Sequence, residues 1–200
     1  MSPFTAVQNP PACVSQTPVG DCSAAPCSVY PSKCCDTIND KAHLLQVKAA
    51  LGNPAFLLSW DRYDSPCGSP GWQWVDCSWE GKVSRLNFSD MGLSGTLPTN
   101  LMQLSALEVL DLSHNSIYGS LPDASSGYGS RLAVVDVSRN LLTGTLPASW
   151  RNLKSLRSLN MSYNTLGNDN LSIQVPFAFA RAAAHVVLAG NAHQDCTTWA

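Results

Sequence analysis

A segment of about 24 residues recurs along the chain and constrains its fold more than any other feature. Three copies, at residues 83–98, 107–122 and 132–147, follow the pattern L-x-x-L-x-L-x-x-N-x-L-x-G-x-L-P, with occasional apolar replacements of leucine and with Met91 in place of the asparagine in the first copy. A fourth copy begins at Leu156, and a degenerate fifth covers residues 183–191. A fixed period of this length is typical of solenoids, in which stacked coils bury a core that no single coil could bury alone.

The repeat pattern also predicts the structure of each coil. The L-x-L core alternates with period two, which indicates a short strand with its leucines inward and the intervening residues outward. The asparagine can bond the backbone of the following turn and stack into a ladder, whereas glycine permits close contact between coils and proline suits the turn to the convex side. We therefore predict that the repeated leucine, asparagine and glycine residues are structural.

Residues 36–82 are predicted to form a cap on the first coil. Asn39 is predicted to begin a helix, because the apolar residues that follow it fall on one face at helical spacing, and Gly52 is predicted to stop it. Further along, Cys67 and Cys77 enclose nine residues that include glycine and proline. Such a segment suits a small disulfide loop.

The two ends of the chain differ from the repeats. Residues 1–35 hold five of the eight cysteines and six of the thirteen prolines but no leucine, which predicts an extended arm that needs disulfides to be ordered. The arm and the cap together hold seven cysteines, and Cys196 in the tail 192–200 is the eighth. We therefore predict that one arm cysteine pairs with Cys196. A disulfide to another chain, or a chain that lacks the natural partner of Cys196, are the alternatives.

Composition and short motifs narrow the function classes. Only 13% of the residues are charged and the net charge is −2, so the chain has no basic surplus for nucleic acid. No membrane span is predicted, and residues 1–11 lack the basic start and apolar run of a signal peptide. The cysteines and three glycosylation sequons, at Asn87, Asn160 and Asn170, nevertheless predict a mature secreted or cell-surface segment. Asn170, in an insertion of the fourth coil, is predicted to be the best acceptor.

The repeat consensus and the cap resemble those of plant-type extracellular leucine-rich-repeat proteins. The G-x-L-P consensus and the cap segment DKAHLLQVKAALGNPAFLLSW, followed by Trp72, Trp74 and Cys77, are similar to polygalacturonase-inhibiting proteins and to plant receptor-kinase ectodomains. The resemblance covers residues 36–191. It implies an α/β solenoid with a parallel concave sheet and a helical N-terminal cap, and a Cys67–Cys77 disulfide. It also implies an extracellular recognition module, and no cofactor is expected.

The outward positions of the concave strands are the predicted binding surface for a protein or peptide. Two columns of these positions vary in chemistry from coil to coil, as selective binding requires, whereas the Asn/Asp and Ser columns between them belong to the consensus. The predicted binding residues are Arg85, Val109, Val134, Ser158 and His185 in the first column, Asp111 and Asp136 in the second, and Asp90, His114, Arg139 and Tyr163 in the last.

Two other non-catalytic functions stay open. Inhibition of a cell-wall-degrading polygalacturonase is implied by the resemblance. Ice binding would need a flat, regular row of small hydroxyl groups, and Thr96, Ser120 and Thr145 form a row of three. The sequence does not predict the oligomeric state.

Catalytic and metal sites are not predicted. Ser113, His114 and Asp136 contain the groups of a nucleophile triad, but the repeat consensus supplies the serine and the aspartate, and no G-x-S-x-G turn occurs. His193 and Cys196 offer two metal ligands without a second pair of matching spacing. We therefore expect that the protein is not an enzyme.

Overall fold

The computed structural model describes residues 33–60, 64–124, 131–167 and 185–191, with side chains from Asp40 onward. A helix, α1 (Lys33–Ala50), is followed by nine strands within these ranges. The strands are β1 (Val75–Cys77), β2 (Val83–Asn87), β3 (Ser94–Gly95), β4 (Val109–Asp111), β5 (Ser116–Gly119), β6 (Val134–Asp136), β7 (Leu141–Leu142), β8 (Ser158–Asn160) and β9 (His185–Val187). Short 3-10 helices cover Ala55–Leu57, Thr99–Gln103 and Ala148–Asn152.

The strands of successive coils pair in chain order. In the described part of the chain, the main sheet has the order β1-β2-β4-β6-β8-β9, in which β1 is antiparallel to β2 and all later neighbours are parallel. A smaller parallel sheet contains β3, β5 and β7. This arrangement confirms the predicted leucine-rich-repeat solenoid.

Repeated apolar side chains form a continuous core under the main sheet. Leu86, Leu110, Val135 and Leu159 stand at the same register position in four successive parallel strands, and each is at most 2% exposed. Burial of a side chain of this size contributes about 1.5–3 kcal/mol, and the contribution is available only when a neighbouring coil covers it.

The predicted asparagine ladder is present. The side-chain nitrogen of Asn140 donates to the carbonyl oxygen of Leu112 in the preceding coil at 2.8 Å and to that of Val137 in its own coil at 3.2 Å. Its side-chain oxygen accepts from the N–H of Ile117 at 2.9 Å. Asn115, Asn164 and Asn191 bridge their coils in the same way.

The cap helix begins earlier than the sequence predicts. We expected Asn39 to be the N-cap, but α1 starts at Lys33 and Asn39 lies inside it. The stretch from Lys33 to Ala50 contains neither proline nor glycine, so nothing interrupts the helix at residue 39. The predicted end is correct, because Gly52 has φ +77° and its N–H donates to the carbonyl oxygen of Ala49 at 3.1 Å.

Two contacts join the cap helix to the first coil. The carboxylate of Asp40 is only 3% exposed and accepts from the N–H of Val83, at the start of β2, at 2.9 Å. Gly95 lies so close to the end of α1 that a Cβ there would overlap the carbonyl oxygen of Ala50. The N–H of Thr96 donates to the same carbonyl oxygen at 3.2 Å. The helix end is therefore fixed directly against the repeat backbone.

Aromatic stacking and a disulfide complete the cap. The rings of Trp60 and Trp72 are stacked with their centroids 4.8 Å apart, and Trp60 also lies 5.5 Å from Phe88 in the first coil. Cys67 and Cys77 form a disulfide with a Cα–Cα distance of 5.8 Å, so the pairing expected for the cap is present.

Several predictions concern residues outside the described ranges. They are the arm up to residue 32, the fourth-coil insertion with Asn170, and the tail with Cys196. Within the described ranges, no helix is both long enough and apolar enough to cross a membrane.

Candidate functional site

The strand register aligns the first predicted column across the sheet. Each residue is paired with the corresponding residue of the next strand, and we call this set the first row: Arg85, Val109, Val134, Ser158 and His185. Neighbouring members are about 4.8 Å apart, as in any sheet. Arg85, Val134 and His185 are exposed. The row therefore presents a cation, an apolar side chain and an imidazole on alternate strands, about 10 Å from one to the next.

The second predicted column has a structural role. One carboxylate oxygen of Asp111 accepts from the N–H of Ser113 at 3.0 Å and from its hydroxyl at 2.7 Å. Asp136 makes the same two bonds with Ser138, and its other oxygen accepts from the side-chain nitrogen of Asn160 at 2.9 Å. Both carboxylates therefore hold the turn that follows each strand.

The serine of the triad-like set is tied to the same turn. The hydroxyl of Ser113 donates to Asp111 and lies 2.8 Å from the hydroxyl of Ser89, and Ser113 is only 6% exposed. A buried hydroxyl whose proton is bonded to a neighbouring carboxylate is not placed as a nucleophile activated by His114. Among the described residues, no group of three His, Cys, Asp or Glu side chains could hold a metal ion.

The last predicted column has an unusual backbone. Asp90, His114, Arg139 and Tyr163 have φ values of 57°, 57°, 54° and 53°, and Gly190 occupies the equivalent position of the fifth coil with φ 74°. We call these five positions the last row. Their left-handed conformation costs a residue other than glycine about 1–2 kcal/mol.

Hydrogen bonding explains why the last row has this conformation. The N–H of His114 donates to the carbonyl oxygen of Ser138 at 3.0 Å, and that of Arg139 donates to Ser162 at 2.9 Å. The turn backbone of each coil is thus bonded to the next coil whatever side chain it carries. Glycine would satisfy this geometry without strain, yet four of the five positions carry exposed polar or aromatic side chains.

Arg139 and Tyr163 form a cation–π contact within the last row. The guanidinium carbon of Arg139 lies 4.5 Å from the ring centroid of Tyr163, and Tyr163 is 53% exposed. The ring lies against the backbone of Gly190, where a Cβ would come within 2.6 Å of its Cδ1 atom. The sequence predicted Arg139 and Tyr163 as binding residues but did not predict the contact between them. The one available signal was a glycine immediately before Asn191 in the fifth coil.

The two arginines of the site differ in their partners. Arg85 lies 3.7 Å from the carboxylate of Asp76 on the neighbouring strand β1. Arg139 has no acidic group within ion-pair distance among the residues that the structure describes. Arg139 is therefore a cation without a counter-charge in that part of the protein.

Two sequons lie on this face. Asn87 is exposed at the end of β2, whereas Asn160 is half-buried and donates to Asp136. A glycan on Asn160 would begin between β6 and β8, next to the predicted binding residues Val134 and Ser158.

The hydroxyl row lies away from this face, beside the smaller sheet. Thr96 and Ser120 are exposed and Thr145 is half-buried. Tyr118 and Leu141 are paired in the β5–β7 register and are 50% and 54% exposed, so two large side chains project near the small hydroxyl groups.

Comparison with known proteins gives the family. A leucine-rich-repeat N-terminal domain family matches residues 38–81, and a leucine-rich-repeat family matches residues 107–166. A chain in the crystal structure of the BIR3–SERK2 complex from Arabidopsis thaliana is 30% identical, with a TM-score of 0.64 over 74% of this chain and 80% of that one. The chain belongs to the plant-type leucine-rich-repeat family.

Two other similar leucine-rich-repeat proteins are a much longer protein kinase and an ice-binding protein. The serine/threonine-protein kinase BRI1-like 1 of Arabidopsis thaliana is 33% identical in an alignment 162 positions long, which covers 66% of this chain and 14% of the kinase. The chain therefore spans only a small part of that relative. A plant ice-binding protein is 27% identical, with a TM-score of 0.53 over 76% of this chain and 56% of that protein.

Proposed function

We propose that this leucine-rich-repeat protein recognises a protein or peptide ligand through its concave face, on the extracellular side of the cell and without catalysis. The observation that carries the proposal is the last row. Arg139, Tyr163 and His114 are exposed on a backbone that would be less strained with glycine. Backbone strain of this kind clusters at functional sites.

The chemistry of the first row supports the same function. Val134 is 37% exposed in the middle of the sheet, and charged or titratable groups stand at both ends, at Arg85 and His185. An apolar centre with a polar rim is the usual anatomy of a protein interface. The similar Arabidopsis chain in the BIR3–SERK2 structure is itself part of a protein complex.

The cap supports the extracellular assignment, and the hydrogen bonds of the turns support the absence of catalysis. The Cys67–Cys77 disulfide favours an oxidising compartment. Ser113 is bonded to Asp111 rather than to an imidazole, which leaves the triad-like set without an activated nucleophile.

A binding experiment with a matched control tests the proposal. The wild-type chain, a Val134→Asp/Tyr163→Ala variant and a Lys154→Gln variant would be immobilised and exposed to plant extracellular fluid. Val134 and Tyr163 belong to the concave face, whereas Lys154 is exposed in the turn after the 3-10 helix Ala148–Asn152. We expect a protein or peptide to be retained by the wild type and the Lys154 variant but not by the double variant. Retention by all three would place the site elsewhere.

Ice binding is a second candidate function, favoured by the hydroxyl row and by the similarity to a plant ice-binding protein. Thr96, Ser120 and Thr145 occupy equivalent positions of three coils, at the roughly 4.8 Å spacing of strands. Exposed Tyr118 and Leu141 work against it, because they interrupt a flat surface. Inhibition of ice recrystallisation by the wild type, lost in Ser120→Lys, would establish this function, and no inhibition would remove it.

A further inference from the structure

We propose that the Arg139–Tyr163 pair binds a carboxylate side chain of an acidic peptide segment. This inference rests on the proposed function and names the chemistry of its ligand. The observation behind it is a guanidinium held 4.5 Å from a tyrosine ring centroid, on an exposed part of the concave face.

Among the described residues, the charge of Arg139 has no acidic partner, so it can attract a carboxylate of a ligand. No acidic side chain of the described residues lies within ion-pair distance of it, whereas Arg85, on β2, already has Asp76 at 3.7 Å. A guanidinium that stacks on a ring keeps its N–H groups free at its edge, where they match the two oxygens of a carboxylate. Stacking and carboxylate binding are therefore compatible.

The pair is held in place before any ligand binds. The ring of Tyr163 lies against the backbone of Gly190, which has no Cβ to push it away. Both residues of the pair have left-handed torsions, so their side chains leave the backbone in a direction that the turn fixes. A cation that is already oriented loses less conformational entropy when it binds.

The surrounding charges determine where an acidic group can bind. Asp90 begins the last row, and Asp111 and Asp136 lie in the middle of the sheet. Asp90 disfavours an acidic group at the first coil, whereas the carboxylates of Asp111 and Asp136 are already hydrogen-bonded within their own turns. His114, adjacent to Arg139 in the last row, can add a further donor beside the guanidinium.

The apolar part of the face limits the ligand further. Val109 and Val134 are paired at the centre of the first row, where a charged group would be desolvated without a partner. We therefore expect the acidic residue of the ligand to be accompanied by apolar residues that contact these valines.

Selection from a phage-displayed library of short random-sequence peptides tests the inference with a defined probe. Peptides selected on the wild-type chain would be synthesised in two forms, with each acidic residue kept or replaced by its amide. We expect the acidic form to bind about tenfold more tightly or better, as a hydrogen bond to a charged group implies. In Arg139→Gln, which keeps the backbone strain but not the charge, the two forms should bind equally.

Two control variants make the result specific. Arg139→Lys keeps the charge, so it should retain a preference for the acidic form. Lys154→Gln removes one positive charge away from the face and should leave the preference unchanged.

The outcomes separate this inference from the proposed function. If selected peptides bind the concave face but show no preference for the acid, or if Arg139→Gln weakens both forms equally, the carboxylate site is wrong and peptide recognition stands. If no peptide is selected, the result contradicts both the carboxylate site and the recognition of peptides by the concave face.

Discussion

The guanidinium of Arg139 lies over the ring of Tyr163 in the next coil, 4.5 Å from its centroid, and both residues have left-handed backbone torsions. The backbone at these positions is fixed by bonds between coils. The side chains are not, because the equivalent position of the fifth coil is Gly190. The fold therefore supplies a row of turns whose side chains can change without changing the coil.

This relationship predicts an unusual response to glycine. Arg139→Gly relieves the left-handed strain but adds freedom to the unfolded chain and removes the contact with Tyr163, so the free energy of unfolding should change by less than about 1 kcal/mol. Arg139→Val should be less stable by about 1–2 kcal/mol, because a β-branched residue is poorly tolerated at positive φ. Urea unfolding of both variants measures the difference. Equal stabilities would contradict the role assigned to the backbone.

Gly95 is predicted to be the least replaceable of the repeat glycines. A Cβ there would overlap the carbonyl oxygen of Ala50 and lie 2.9 Å from the Cα of Leu51, and backbone atoms cannot rotate away. Gly95→Ala should lower the free energy of unfolding by more than about 3 kcal/mol. In the matched variant Gly144→Ala, the nearest atom would be the Cβ of Ser120 at 3.6 Å, so only the strain of about 1–2 kcal/mol should remain. Thermal or urea denaturation would compare them.

The asparagine ladder predicts a large cost for Asn140→Ala. The substitution would leave the N–H of Ile117 and the carbonyl oxygen of Leu112 without the partner that Asn140 provides in the core. We expect a loss of about 2–4 kcal/mol in the free energy of unfolding. Asn152→Ala, at an exposed position of a 3-10 helix, should change it by less than about 0.5 kcal/mol. A similar loss in both variants would show that the ladder adds nothing specific.

His43 predicts a pH dependence of the joint between the cap and the first coil. It is half-buried on α1 with its Nδ1 atom 3.3 Å from the side-chain nitrogen of Asn100, and burial lowers the pKa of His43 below its ordinary value of about 6.5. The unfolded chain therefore binds the proton first as pH falls. Stability should be complete above about pH 6.5 and should decrease as the pH falls through that value towards the lower pKa of the folded state.

Comparison with His43→Gln isolates this contribution. Urea midpoints measured at about pH 7.5 and about pH 5.5 should differ less in the variant than in the wild type, because glutamine does not titrate in this range. Equal pH dependence in the two proteins would assign the effect to other groups.

Much of the fold could be predicted because the repeat specifies contacts that each coil makes with its neighbours. The register that aligns Arg85 with Val109 and Val134 follows directly from the repeat spacing. The end of α1 at Gly52 is also a local property. The predicted start of α1 is wrong. Asn39 is a good N-cap residue in isolation, but the sequence from Lys33 onward contains no residue that interrupts a helix, so α1 includes Asn39.

Only part of the candidate site could be predicted from the repeat pattern. Periodicity identified which side chains face outward, and the consensus explained the bonds of Asp111 and Asp136. It did not predict that Arg139 lies over the ring of Tyr163, since the two residues lie in different coils and nothing in either coil requires the contact.

The sequence by itself determined the solenoid, the order of its strands and the rows of outward side chains, because period and alternation are local patterns that each residue carries with it. Only the tertiary structure decided which turns have a left-handed backbone and which cation lacks an acidic partner among the described residues. It also decided that residue 95 must be glycine, because the end of the cap helix packs directly against it. These properties depend on distances between coils, and such distances are fixed only when the coils have packed against one another.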